Sequence, residues 1–210
     1  MTEDLWIIGA GGHAGEVIDA IHASNLPFLI RGLYDDNPAF HNQPIHGYQC
    51  LGSVDQFIHS TPKHSFFFLA IGNNTARQNL AIRLIAAEKK TLTVIHPAVI
   101  VSPSARVGSG TYVAPCSTIG SRAVVGEFAL VNVHASIGHD SEIASFSQLC
   151  PGVRVSGYCK VGQGAFLGSN AVLAPGKSMG PWSRLSGCSL ALNDIPEGRL
   201  ASGIPATVIV

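Results

Sequence analysis

Residues 95–190 read IHPAVI VSPSAR VGSGTY VAPCST IGSRAV VGEFAL VNVHAS IGHDSE IASFSQ LCPGVR VSGYCK VGQGAF LGSNAV LAPGKS MGPWSR LSGCSL, sixteen hexads in one unbroken phase. The first position is Ile, Val, Leu or Met in all sixteen. The fifth is Ala, Ser, Thr, Cys or Val in fifteen, with Lys177 the exception. A repeat this long decides the architecture before any local signal does. Gly, Pro and β-branched residues stand where a helix would want straight side chains, so the segment is not helical. The pattern suits short parallel strands joined by tight bends, with the aliphatic pointing inward and the small fifth residue inside the bend. A glycine or small residue beside the aliphatic is expected to let the backbone turn. Three hexads make a triangular coil of 18 residues, so the repeat gives just over five coils. Residues 18 apart then stack at the inter-strand spacing of about 4.8 Å. The less regular tail, residues 193–210, reads as the cap that a terminal repeat requires.

Upstream of residue 95 the texture changes to alternating strands and helices, the mark of parallel βαβ units. Strands are expected over 5–9, 28–34 and 66–72, with helices over 16–23 and 76–90. Gly9-Ala10-Gly11-Gly12-His13-Ala14 fits G-x-G-x-x-A between strand and helix, and the acidic pair Asp35-Asp36 closes the second strand. Glycines at such a turn let backbone N–H groups approach a phosphate at a helix N-terminus, while an acid accepts ribose hydroxyls. Gly72, Asn73 and Arg77 follow the third strand, at the strand ends where open α/β sheets place ligands. A dinucleotide needs two mononucleotide-binding halves and only about one is present, so a nucleotide-sugar fits better than NAD. The sequence therefore predicts a mixed fold: a small Rossmann-like α/β domain, 1–94, before a β-helix domain with its cap, 95–210.

Composition narrows the function. Formal net charge is zero and only 12% of residues are charged, which argues against nucleic acid or an anionic membrane as partner. No apolar run approaches the roughly 20 residues of a membrane span. The start, MTEDLWIIGAGG, carries acids where a secretory signal would be positive. Five cysteines, odd in number and without a CxxC pair, suggest reduced thiols and a cytoplasmic protein.

The order GAGGHAG, LYDDN, AIGNN and then hexapeptide repeats resembles the bacterial sugar acyltransferases, which include the N-acetyltransferases of bacillosamine and perosamine synthesis and the sialic acid O-acetyltransferases. The likeness runs over essentially the whole chain. It implies a left hand for the β-helix, which general rules for parallel crossovers would not give. It also implies a homotrimer, with acetyl-CoA in the cleft between adjacent β-helices and the nucleotide-sugar held by Gly11, Gly12, His13, Asp35, Asp36, Gly72, Asn73 and Arg77. The family's His–acid pair falls on His139-Asp140, with His139 as general base and Asp140 as its orienter. Its glycine amide, 18 residues further on, falls on Gly157 as oxyanion or thioester contact. The chemistry suits the pair: an imidazole can take a proton from an attacking amine near neutrality, and a carboxylate can fix its tautomer. The implied reaction is acetyl transfer from acetyl-CoA to the amino group of a nucleotide-linked sugar, a UDP-4-amino-4,6-dideoxyhexose. The alternative is O-acetylation of a sialic-acid-like sugar. Gln148 stands where relatives carry a second His, and Thr207 where their tails carry a Lys.

Two other classes compete. Some hexapeptide β-helices bind zinc through three histidines, and His134 lies five residues before His139. Positions 98, 116 and 152 are Ala, Cys and Gly, however, so no third ligand stacks in place and no metal is expected. A scaffold that only binds nucleotide and trimerises would leave His139-Asp140 idle.

Overall fold

The computed structural model describes residues 2–209, and the chain divides after Val94 into two compact units. The first unit runs β1 (Glu3–Ile8), α1 (Gly12–Ala23), β2 (Phe28–Tyr34), a hairpin of β3 (Pro44–Ile45) and β4 (Tyr48–Gln49), α2 (Val54–Ser60), β5 (Phe66–Leu69), α3 (Asn74–Ala86) and β6 (Lys90–Thr91). Four of these strands form a parallel sheet in the order β2-β1-β5-β6. Leu5, Ile7 and Ile8 of central β1 and Phe67 and Phe68 of β5 are fully buried, as apolar runs covered on both faces should be. The elements differ from expectation at their ends. Helix α3 starts at Asn74 because Asn73 caps it, its Oδ1 accepting the Ala76 N–H at 2.9 Å. It ends at Ala86, since Glu88 turns to φ +56 and Lys90 joins the sheet. Helix α2 was not anticipated, although its capping box, Ser53 with Gln56, stands in the sequence.

The second unit is a left-handed parallel β-helix. Each hexad supplies a two-residue strand, and strands pair in parallel with those one coil away: Thr118 with Ser136, Ser136 with Arg154, Arg154 with Val172. First-position aliphatics such as Val113, Ile119, Ile137 and Leu167 stack with fifth-position alanines in one continuous core. Buried hydroxyls at the fifth position are satisfied by a regular device. Thr111, Ser117, Ser141 and Ser147 each donate to a carbonyl fifteen residues ahead, at 2.7, 2.8, 2.7 and 2.9 Å. That bond is why a buried polar atom costs little at this position. The tail closes the far end: Ile195 bridges Met179, and Leu200–Gly203 pairs with the strand Arg184–Leu185 and turns back on Ala206–Val208.

The bend itself is made differently from the sequence expectation. Fourteen of the sixteen fourth positions have positive φ, and ten of those hold residues other than glycine, Arg122, His134 and Asp140 among them. The second-position glycines have a separate task. A Cβ on Gly108, Gly120, Gly126, Gly138, Gly162, Gly168 or Gly180 would come within 2.4–2.8 Å of backbone in the next coil. Glycine there permits close coil-to-coil approach, and the fourth residue turns the chain.

Two substitutions separate these tasks. Gly126→Ala puts a methyl 2.5 Å from the Ser145 amide nitrogen and should destabilise the unit by about 1–3 kcal/mol. Gly176→Asn, at φ +70 with open space around its Cβ, should change stability by less than about 0.5 kcal/mol. Thermal melting of both variants checks the order; a larger loss at Gly176 would contradict it.

Candidate active site

The polar features of the β-helix converge at the bend between the strands Ser136–Ile137 and Glu142–Ile143. Asp140 occupies the left-handed position of this bend, φ +58, and its N–H is held by the Ser121 carbonyl of the preceding coil at 2.9 Å. Aspartate is among the few residues that adopt this conformation readily. Its Oδ2 lies 2.8 Å from His139 Nδ1. Arg122 stacks directly below Asp140, one coil back, and grips it with two bonds: Nε to Oδ1 at 2.6 Å and Nη2 to Oδ2 at 2.8 Å. The guanidinium, and after it the imidazole, draw the Asp140 carboxyl down to a pKa of about 2. An ionised carboxylate can only accept a hydrogen bond, so the proton of a neutral His139 is assigned to Nδ1 and the lone pair to Nε2. The His139 side chain is about half exposed, 55%, and open to a ligand.

The next coil supplies the other wall. A Cβ on Gly157 would lie 2.7 Å from His139 Nε2, so the ring can rest in this place only above a glycine. The Tyr158 ring meets the imidazole edge to face, centroids 5.0 Å apart and planes at 90°, while its N–H donates to the His139 carbonyl at 2.9 Å. The Gly157 N–H donates to no partner among the described residues. The repeat explains this. Third-position amides take no part in the backbone bonds between coils, which is why six of the sixteen third positions are Pro. Beside the imidazole Nε2 there is thus an unspent backbone donor.

In the first unit, the glycine turn leads into α1, whose N-cap Gly11 brings no side-chain bond. Asp35 holds this turn: its Oδ2 accepts the Ala10 N–H and its Oδ1 the Asn37 N–H, each at 2.8 Å. Asp36 caps α2 through the Val54 N–H at 2.9 Å. Both acids also line a pocket of about 270 Å³ with Ile8, Gly9, Val54 and Ile71. His13 is mostly buried, bonded to Glu16 at 2.9 Å, and burial lowers its pKa. Arg77 is fully buried beneath the loop and donates to the Ile71 and Gly72 carbonyls and to Asn74 Oδ1, at 2.9, 3.2 and 3.0 Å. Desolvation pulls its pKa to about 9. It shapes the Gly72-Asn73 loop from behind. His46, which the sequence reading passed over, sits on the hairpin with its Nε2 3.2 Å from the Gly11 carbonyl.

Other singled-out residues lie apart from His139. Gln148 is half a coil away on its own strand, its amide 3.9 Å from Cys150 Sγ. The His134 carbonyl takes a bond from Arg154. The Trp182 ring covers Gly164, and Thr207 pairs with Ser202 in the tail hairpin. Among the described residues no group of three or more His, Cys, Asp or Glu could hold a metal, and no helix is long and apolar enough to cross a membrane. Arg122 and Tyr158 were missed although the signal was present: the 18-residue rule applied to Asp140 gives both.

Comparison with known proteins shows what the chain is similar to. Residues 4–84 match the PglD N-terminal domain. The chain is 27% identical to the GDP-perosamine N-acetyltransferase of Escherichia coli O157:H7, over 63% of this chain and 59% of that one. It is 32% identical to the UDP-N-acetylbacillosamine N-acetyltransferase of Bacillus subtilis (strain 168), over 53% and 51%. The matched region thus spans between half and three-fifths of these relatives. PerB from Caulobacter crescentus, solved in complex with CoA and GDP-perosamine, is 29% identical with a TM-score of 0.91, covering 100% of this chain and 99% of that one. The resemblance to bacterial sugar acyltransferases is therefore borne out, and the first unit is of the PglD N-terminal type.

The charge state of Asp140 can be checked directly. A carboxyl lowered from 3.8 to about 2 contributes stability that is complete above the ordinary value and is lost only as pH falls through the folded one. Carbon-13 carboxyl titration should find Asp140 ionised at pH 3. A midpoint near 4 would mean that the Arg122 contact does not form in solution.

Proposed function

We propose that the protein is an acetyl-CoA-dependent N-acetyltransferase acting on the amino group of a nucleotide-linked amino sugar. The observation that carries this reading is His139 Nε2, freed by the Asp140 bond, lying against Gly157 with its unspent N–H. The acceptor amine attacks the thioester carbonyl carbon, and His139 Nε2 takes the proton that nitrogen loses. The Gly157 N–H donates to the oxyanion as the tetrahedral intermediate forms. Collapse breaks the C–S bond, the imidazolium returns its proton to the leaving sulfur, and the products are the amide and free CoA. Asp140 holds the imidazole in the tautomer this cycle requires.

In the first unit, the uncapped N-terminus of α1 offers amides to a diphosphate, and the pocket beside Asp35 and Asp36 accepts the nucleoside. Gly11, Gly12, Gly72 and Asn73 supply backbone and side-chain contacts; His13 and Arg77 hold those segments in shape. The sugar is a 4-amino-4,6-dideoxyhexose, carried on UDP or, as in the perosamine enzymes, on GDP. The repeat's low charge and the family likeness support a homotrimer with acetyl-CoA between adjacent β-helices, in the cytoplasm.

The test is thiol release from acetyl-CoA with GDP-perosamine, a UDP-4-amino-4,6-dideoxyhexose and free sialic acid. Turnover is expected with one of the nucleotide-linked amines, and His139→Ala should lower kcat by roughly 10²–10⁴-fold. Turnover with sialic acid alone would establish O-acetylation instead, and near-normal kcat in the variant would remove His139 as base.

A further inference from the structure

The Asp140 carboxylate serves two donors through one oxygen. Its Oδ2 is 2.8 Å from His139 Nδ1 and also 2.8 Å from Arg122 Nη2, while Oδ1 takes Arg122 Nε at 2.6 Å. A carboxylate bound at a single oxygen can swing about its Cβ–Cγ bond; one gripped by a planar fork cannot do so freely. Arg122 is itself tied to the ladder on the same corner. Its N–H donates to Ser104 Oγ at 3.0 Å, and Ser104 Oγ lies 3.1 Å from Ser121 Oγ. Four successive coils are therefore linked in one chain of contacts: Ser104 to Arg122, Arg122 to Asp140, Asp140 to His139, and His139 to Gly157 and Tyr158.

We propose that Arg122 is a positioning residue for His139, fixing the plane of the Asp140 carboxylate and offsetting the charge that this carboxylate presents to the imidazole. This rests on the acetyl-transfer reading of the site. The electrostatic half follows from the neighbours. The charged or titratable groups that meet the imidazole or its carboxylate are Asp140 beside it, Arg122 on the coil before and Tyr158 on the coil after, with Glu142 and Lys160 further along on the strands that follow these bends. Glu142 and Lys160 are register partners on the adjoining strands. Asp140 and Arg122 form the second pair. Without Arg122 the carboxylate beside His139 is uncompensated, which favours imidazolium. A protonated Nε2 cannot accept the amine's proton. The depressed Asp140 pKa is consistent with the same pairing.

Arg122→Gln removes both charge and fork, whereas Arg122→Lys keeps the charge and loses the fork. Arg122 is largely exposed, 62%, so both variants should fold, as circular dichroism will show. Protein carrying carbon-13 histidine, with His139 assigned through His139→Gln, is titrated by NMR without substrate. In parallel, kcat/KM against pH is measured with acetyl-CoA and whichever nucleotide-linked amine turns over. In Arg122→Gln the His139 signal should titrate roughly one pH unit higher than in wild type, with the acidic limb of kcat/KM moving alike. In Arg122→Lys the titration should stay near wild type while kcat falls severalfold, with KM for acetyl-CoA unchanged. An unmoved His139 signal in Arg122→Gln would overturn the proposal even if acetyl transfer is established. A moved signal with no turnover on any acceptor would uphold the pairing and sink the transferase reading.

Discussion

The hydrogen-bonded stacking of one 18-residue coil on the next is the constraint on which the β-helix depends. It brings each residue to within one strand spacing of the residues 18 before and after it, so every side chain acquires two obligatory neighbours. Local choices are then judged vertically. Second-position glycines answer to the backbone of the next coil, fifth-position hydroxyls to carbonyls there, and the left-handed fourth positions to the corner they turn.

The candidate site is a direct product of that stacking. Nothing near His139 in the chain except Asp140 contributes to it; its other partners arrive from neighbouring coils. Arg122 below and Tyr158 above bracket Asp140 and the imidazole, and Gly157 leaves room for the ring that a methyl group would displace. The arrangement spends little folding energy on exposed charge, since surface ion pairs contribute little to stability. Its value is geometric: a planar guanidinium fork and an aromatic edge restrict side chains that would otherwise rotate in solvent. The unspent Gly157 amide has the same origin, because a third-position N–H has no place in the coil's own hydrogen bonding.

The first unit follows a different logic, that of the open parallel sheet, where function collects at strand ends. There the acids are bonded to the tight turn and to α2, and the loop after β5 is held from within. Asp35 both secures the glycine turn and faces the pocket, and Arg77 underpins the loop from the interior. A buried guanidinium of this kind is stabilised by the oxygens it donates to, since losing one would leave a buried donor unsatisfied.

The sequence by itself determined the mixed architecture, the six-residue phase, the inward column and the adjacency of His139, Asp140 and Gly157. Each of these is periodic or contiguous and survives without three-dimensional information. It also placed Asp35, Asp36 and the glycine turn at one end of the sheet. Only the tertiary structure decided which residue makes the bend, because a left-handed φ at Arg122 or Asp140 leaves no compositional trace where glycine is not required. It likewise decided that Arg77 lies within the fold and that Arg122 grips Asp140. The reason is the same in both cases: a side chain's role is set by the partners its backbone position delivers, and for Arg77 and Arg122 those partners appear only when loops close and coils stack.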